Sequence, residues 1–313
     1  MRIGLVVDSA CDLPREFIEQ HNIVILPITL HLAGRDLVDT RDPEQTRAFY
    51  LDKDSNKGDA GTSAFSVEQI KELFLSKLVI DYDFVFCLTL ASSRSPMHEH
   101  AVKASFAILN EYKPYRAKAG VPGPFALRVI DCQNLFAAQG VIAVEAIRMI
   151  EAGENPVKIR ERLEFLAQNT HGYMLPKDLF YLRARAQKKG DRSVGLFGAM
   201  IGTALDIKPL IKGYRNETAP CAKLRHFEEG AEKFFAYVGR RVQKGLLSPT
   251  LVMSYGGELD ALHTLPGHAD LIKLCAEHQV TVLESVMSMT GGINVGDGAL
   301  TLAFADEPHE VDL

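Results

Sequence analysis

Three apolar runs that lack any in/out alternation constrain this chain more than any other feature. They are Ile3-Gly4-Leu5-Val6-Val7, Phe84-Val85-Phe86-Cys87-Leu88-Thr89-Leu90 and Leu127-Arg128-Val129-Ile130. A strand with one wet face alternates apolar and polar residues, so a continuous run must be covered on both faces. Each run is followed by a short polar pair (Asp8-Ser9, Ser92-Ser93, Asp131-Cys132) and then by a helical stretch. The first helix opens near Pro14, the second ends near Tyr112, and the third, long and apolar, ends near Ala152. Strand, polar turn and helix in repetition predict a parallel sheet flanked by helices.

Residues 22–32 add a further strand, polar on one side and suited to a sheet edge. Residues 52–61 and 113–124 read as surface loops, the second because of Gly120, Pro122, Gly123 and Pro124. Asn155-Pro156 opens another helix, through about Ala167, after which the pattern changes. Strand-like pieces at 172–174, 219–224, 250–255, 281–284 and 299–304 then alternate with helices at about 177–189, 193–206, 226–245 and 266–278. The expected fold is a two-domain α/β protein: an N-terminal Rossmann-like parallel sheet flanked by helices over residues 1–168, and a mixed α/β sheet domain over 169–313. The break falls within 165–172, and 306–313 reads as a loose acidic tail.

At 313 residues the chain is long enough to bury two cores. A net charge of −5 and a pI near 6.1 give no general attraction to nucleic acid or anionic membranes. The most basic segment, residues 183–189, lacks interleaved aromatics and reads as a solvated helix end. Five cysteines, odd in number and without a C-x-x-C pair, argue against a disulfide framework or zinc knuckle and suit a reducing compartment. Asp8 cuts the first apolar run too short for a signal peptide, and nowhere do about eighteen apolar residues run together. The cytoplasm is therefore the expected location.

In an open parallel sheet, ligands sit beyond the carboxyl ends of the strands. There the polar pairs meet helix N-termini, whose free N–H groups favour an anion. Ser and Asp are also ordinary helix caps, so at any single position capping competes with binding. Ser66 with Gln69 fits a capping box at the start of a helix at Val67, which occupies Ser66. Thr62 and Ser63 then remain in the preceding loop, free for a ligand. No G-x-S-x-G elbow surrounds Ser92 or Ser93, and His98 and His100, two residues apart on a helix, point away from each other. These histidines, with His263 and His268, read as solvated or partly packed. The glycine-dense segment 291–298 matches no nucleotide-binding motif; an anion nest or a tight turn feeding a strand are its two readings. Lys208 is either a buried counter-ion or an exposed lysine.

Taken in order, these segments resemble the DegV family of bacterial fatty-acid-binding proteins, the FakB type, over nearly the whole chain. Asp8-Ser9-Ala10-Cys11-Asp12-Leu13-Pro14 resembles the family's Asp-Ser-x-x-Asp-Leu-Pro opening. Thr62-Ser63-Ala64-Phe65-Ser66 is similar to Thr-Ser-x-Pro-Ser, and Ser92-Ser93-Arg94-Ser95-Pro96 stands where Ser-Ser-x-Leu-Ser-Gly is usual, with Ser92 and Ser95 keeping their hydroxyls. Val129-Ile130-Asp131, Gly140, Leu179-Phe180-Tyr181-Leu182 and Ile207-Lys208-Pro209-Leu210 continue the match. Asn294 stands where the family carries histidine, and Gly190-Asp191-Arg192 is the nearest remnant of its Gly-Gly-Arg.

The resemblance implies one long-chain fatty acid buried between the domains, its carboxylate met by the Thr62 and Ser92 hydroxyls. It implies no cofactor beyond that lipid, no catalysis in the chain itself, and a separate fatty acid kinase as partner. Membrane contact would be transient, not spanning. The expected ligand-binding set is Thr62, Ser63, Ser92, Ser93, Ser95 and Asn294, with Asp8, Asp131, Arg192 and Lys208 as further candidates and no metal ligands. The competing reading is an enzyme, a serine hydrolase or transferase acting on a small carboxylate or phosphate.

Overall fold

The computed structural model describes residues 1–32, 34–52, 60–188 and 206–313. The first half contributes β1 (Ile3–Asp8), β2 (Val24–Leu26), β3 (Ile28–Leu32), β4 (Arg35–Asp39), β5 (Gly61–Ala64), β6 (Phe84–Thr89) and β7 (Ala126–Asp131). All three continuous apolar runs are strands of one parallel sheet, in the order β2-β1-β6-β7. Residues on opposite faces enter different cores. Leu5, Val7, Phe86 and Leu88 pack toward the helix Ala137–Glu151, while Val6, Val85 and Cys87 pack toward the helices Val67–Leu73 and Met97–Ala107. Helical cover on both faces is what the missing alternation predicts.

The second half contributes β8 (Thr170–Leu175), β9 (Ile207–Tyr214), β10 (Glu217–Arg225), β11 (Thr250–Tyr255), β12 (Thr281–Val286) and β13 (Leu300–Ala305). They form a mixed six-stranded sheet in the order β10-β9-β8-β13-β11-β12, parallel only between β11 and β12. The helix Pro156–Asn169, capped by an Asn155 side chain that accepts from the Lys158 N–H, leads straight into β8. Between the two sheets lies the helix Ala137–Glu151, which packs on β1 and β6 from one side and on β8, β11 and β13 from the other. Gly140 permits this: a methyl there would stand 2.9 Å from the Asp12 carbonyl and 3.1 Å from Val252.

Several expectations need correcting. Residues 22–32 are two strands, not one: β2 edges the parallel sheet, whereas β3 is the centre of a separate three-stranded sheet β4-β3-β5. Thr62 and Ser63 therefore lie in a strand, paired with Leu30 and Thr29, and not in a loop. Within 113–124 the chain forms the helix Tyr112–Lys118, pinned by buried Arg116, which donates to the Val79, Tyr82, Pro122 and Gly123 carbonyls. Glycine-dense 291–298 begins inside the helix Met289–Val295, capped by Ser288 accepting from the Gly291 N–H. Strand β9 was not anticipated. Arg192 and residues 193–205 of the expected helix lie outside the described residues. No described helix is long and apolar enough to cross a membrane.

Candidate functional site

A cavity of about 620 Å³ opens beyond the carboxyl end of β6, between the three-stranded and six-stranded sheets. Thr62, Ser63 and Ala64 of β5 form one wall, and Arg94, Ser95 and Pro96, in the loop after β6, form another. The helix Leu179–Lys188 contributes Leu182, Arg185 and Ala186; the helix Met289–Val295 contributes Thr290, Asn294 and Val295. Leu90, Leu135, Phe136, Met174 and Ile211 supply much of the apolar remainder. Ser66 takes no part: its Oγ accepts from the Gln69 N–H at 3.2 Å while Gln69 Oε1 accepts from the Ser66 N–H at 2.9 Å, the capping box read from the sequence.

Of the ten expected residues, Thr62, Ser63, Ser95 and Asn294 line this cavity. Ser63 Oγ is bonded to His31 Nε2 at 2.8 Å, and Ser95 Oγ accepts from the Met97 N–H at 3.2 Å. Asn294 donates from Nδ2 to the Thr290 carbonyl at 2.8 Å and accepts from Arg185 Nη2 at 3.4 Å.

Ser92, Ser93, Asp131, Asp8 and Lys208 are placed elsewhere, each by a specific bond. Ser92 donates from Oγ to Asp131 Oδ2 at 2.5 Å, and its N–H donates to Asp131 Oδ1. Asn216 donates to the same carboxylate at 3.0 Å, and Ser93 Oγ donates to the Asn216 carbonyl at 2.6 Å. This cluster braces the loop after β6 against the loop after β7 and the β9–β10 turn. Asp8, fully buried, accepts from the Leu90 N–H at 2.6 Å and the Ala10 N–H at 3.1 Å, and so holds the start of the same loop. Burial pushes its carboxyl up to about 7 against those hydrogen bonds. Lys208 is occupied by the Lys177 carbonyl and Asp206.

Sequence reasoning missed Arg94, His100, Arg185 and Thr290, which also line the cavity. Arg185 was read within a solvated helix end, yet it is 7 % exposed. Its Nη1 donates to the Ala60 carbonyl, and its Nε–H is buried with no acceptor among the described residues. Burial lowers its pKa from the usual arginine value. His100 gives Nδ1 to the Phe65 carbonyl at 2.7 Å, which fixes the Nδ1–H tautomer of the neutral ring. Among the described residues lining the cavity there are two guanidinium groups and no carboxylate. An apolar chamber with cationic and hydroxyl groups at its wall suits an amphiphile with an anionic head.

Comparison with known proteins places this geometry in a family. A DegV domain-containing protein of Xanthomonas axonopodis pv. citri is 57 % identical over 310 residues, 99 % of each chain. A solved DegV lipid-binding protein of Thermotoga maritima superposes with a TM-score of 0.76 at 21 % identity, covering 99 % of this chain and 100 % of its own. DegV of Bacillus subtilis, described as a fatty acid binding protein, superposes at 0.74 with 21 % identity, covering 98 % and 100 %. The family profile described as "Uncharacterised protein, DegV family" matches residues 2–307, and the chain belongs to that family.

Proposed function

We propose that this chain binds one long-chain fatty acid in the 620 Å³ cavity, with its carboxylate beside Thr62, Ser95, Asn294 and Arg185. The observation that carries this is a cavity with much apolar wall whose described lining residues include two guanidinium groups, several hydroxyls and no carboxylate. Hydrogen bonds from a guanidinium or a hydroxyl to an ionised carboxylate are about twice as strong as neutral ones, which offsets the cost of taking that carboxylate out of water. The cavity volume falls within the about 300–1,000 Å³ usual for small-molecule sites. Each methylene buried in it would contribute about 0.8 kcal/mol. The lipid-binding relatives support the same reading. We further propose that the chain presents the acyl carboxylate to a separate ATP-dependent kinase. Ser92 lends the hydrolase reading no support, because its hydroxyl is bonded to Asp131 and not to a histidine.

Denaturing the purified protein and analysing released lipid by mass spectrometry is expected to give a stoichiometric long-chain fatty acid. Arg185→Gln and Thr62→Val are each expected to lower loading about tenfold or more at unchanged secondary structure. Absence of any acyl species in the wild type, or full loading of both variants, would overturn the reading. Kinase presentation is tested separately, by trapping ATP-dependent acyl phosphate with hydroxylamine in extract supplemented with the loaded protein.

A further inference from the structure

Far from Arg185 in sequence, at the β12 edge of the six-stranded sheet, three metal-ligating side chains converge. His263 ends the short helix Leu259–His263, His268 opens the helix His268–Glu277, and Glu284 stands on β12 opposite Met253. Only four residues separate the histidines, and the turn between them is firmly held. Leu262 before it and Leu265 within it are buried, and the His268 N–H donates to the Leu265 carbonyl at 3.2 Å. Gly267 turns the chain at φ +82°, a conformation that a side chain would strain. The result sets the two imidazoles 5.2 Å apart, centroid to centroid, and aims both Nε2 atoms at one carboxylate. His263 Nε2 lies 3.1 Å from Glu284 Oε2 and His268 Nε2 lies 2.5 Å from Oε1.

We infer that His263, His268 and Glu284 form a binding site for a single divalent cation of the zinc class. Their donor atoms all lie within 4.8 Å of one another. A cation with bonds of about 2.0–2.2 Å holds its donors about 3–4 Å apart, so the side chains need only small rotations. Two imidazole nitrogens and one carboxylate oxygen make a borderline donor set, which favours Zn²⁺, Co²⁺ or Ni²⁺ over Mg²⁺ or Ca²⁺. Three protein ligands also leave a tetrahedral position open. The supporting shell is uneven. His268 is 7 % exposed and packs edge-on to Phe235 at 5.9 Å, whereas His263 at 45 % gives the ion a path from solvent. The site is separate from the lipid cavity, and nothing in the lipid reading bears on it.

The test uses the full chain, stripped with chelator and titrated with Zn²⁺ in competition with a chromogenic chelator. One equivalent is expected to bind and to withstand a large excess of Mg²⁺ or Ca²⁺. Co²⁺ substitution should give the visible absorption of a tetrahedral site. His263→Ala, at an exposed position, and Glu284→Gln, of the same shape, are each expected to weaken binding by at least about tenfold. Unchanged far-ultraviolet circular dichroism and a cooperative thermal transition would show that both variants are folded. Failure of the wild type to retain zinc, displacement by Mg²⁺, or unchanged affinity in both variants would overturn the inference.

Discussion

Asp8 shows how a residue singled out for binding can instead set the stability of the protein. Its carboxyl is raised to about 7 by burial, against a usual 3.8. Between those values the folded chain holds a proton that the unfolded chain has released. The stability linked to Asp8 is therefore full below pH 3.8 and is lost as pH rises through 7. His171 works in the opposite sense: burial pushes it down to about 3, so its contribution grows as pH rises toward 6.5. The informative quantity is thus the difference between wild type and Asp8→Asn. Urea denaturation is expected to show that difference shifting in the variant's favour by about 2 kcal/mol from pH 5 to pH 8. A difference that is flat with pH would mean that Asp8 is ionised in the folded state across this range. The residue types at the strand ends were legible as polar groups gathered at one edge. Their division of labour was not, because Ser92 and Ser93 are claimed by Asp131 and Asn216, partners 39 and 123 residues away. Arg185 was hidden for the same reason: the carbonyl it meets belongs to Ala60.

At the level of elements, periodicity carried furthest where burial is complete. The apolar runs became β1, β6 and β7, and residues 250–255 became β11 with those bounds. Local propensity failed where close packing overrode it. Glycine disfavours helices by about 1 kcal/mol relative to alanine. Yet Gly291 and Gly292 lie in the helix Met289–Val295, and close packing calls for glycine there: methyls would stand 2.6 Å from Met287 and 2.7 Å from Phe49. Strand β9 escaped notice because Pro209 breaks the pattern. Pro209 lies outside the pairing of β9 with β8, which covers only Ile211 to Gly213, and is paired on one side alone, with Lys223 of β10. Gly140 turns this reasoning into a prediction. An alanine would normally favour the helix Ala137–Glu151, but here its methyl meets the Asp12 carbonyl and Val252, both held by the layers on either side. Gly140→Ala is expected to destabilise by about 1–3 kcal/mol, read as a lower thermal midpoint. A raised midpoint would show that the two sheets can move apart at little cost.

Across the whole molecule, the order of weak motifs made the family legible, but the joint between its halves was not. Beside the apolar helix Ala137–Glu151, that joint has a buried polar part. Asp12, from the turn after β1, accepts from Ser254 Oγ of β11 at 2.5 Å and from the Ser288 N–H at 2.9 Å. Asp39 of β4 accepts from the Thr290 N–H at 3.0 Å and from its Oγ1 at 2.8 Å. Arg41 joins the two: it donates to Asp12 at 3.4 Å and to the Leu13 and Val286 carbonyls, while its own N–H donates to Asp39. Burial raises both carboxyls, and Arg41 is the charge that opposes that rise. Arg41→Met would leave two buried carboxylates without their cation, at a cost of about 3–5 kcal/mol. With Arg41 gone both carboxyls rise further, so the folded chain holds protons more tightly than the unfolded one and the loss should be greater at pH 8 than at pH 5. Adding Asp12→Asn should restore part of the stability at pH 8, because it removes one of the stranded charges. Thr290 lines the 620 Å³ cavity as well as binding Asp39, so, on the proposed function, Arg41→Met should also lower lipid loading. A variant that loses less than about 1 kcal/mol, with no dependence on pH, would mean the halves are joined by the helix Ala137–Glu151 alone.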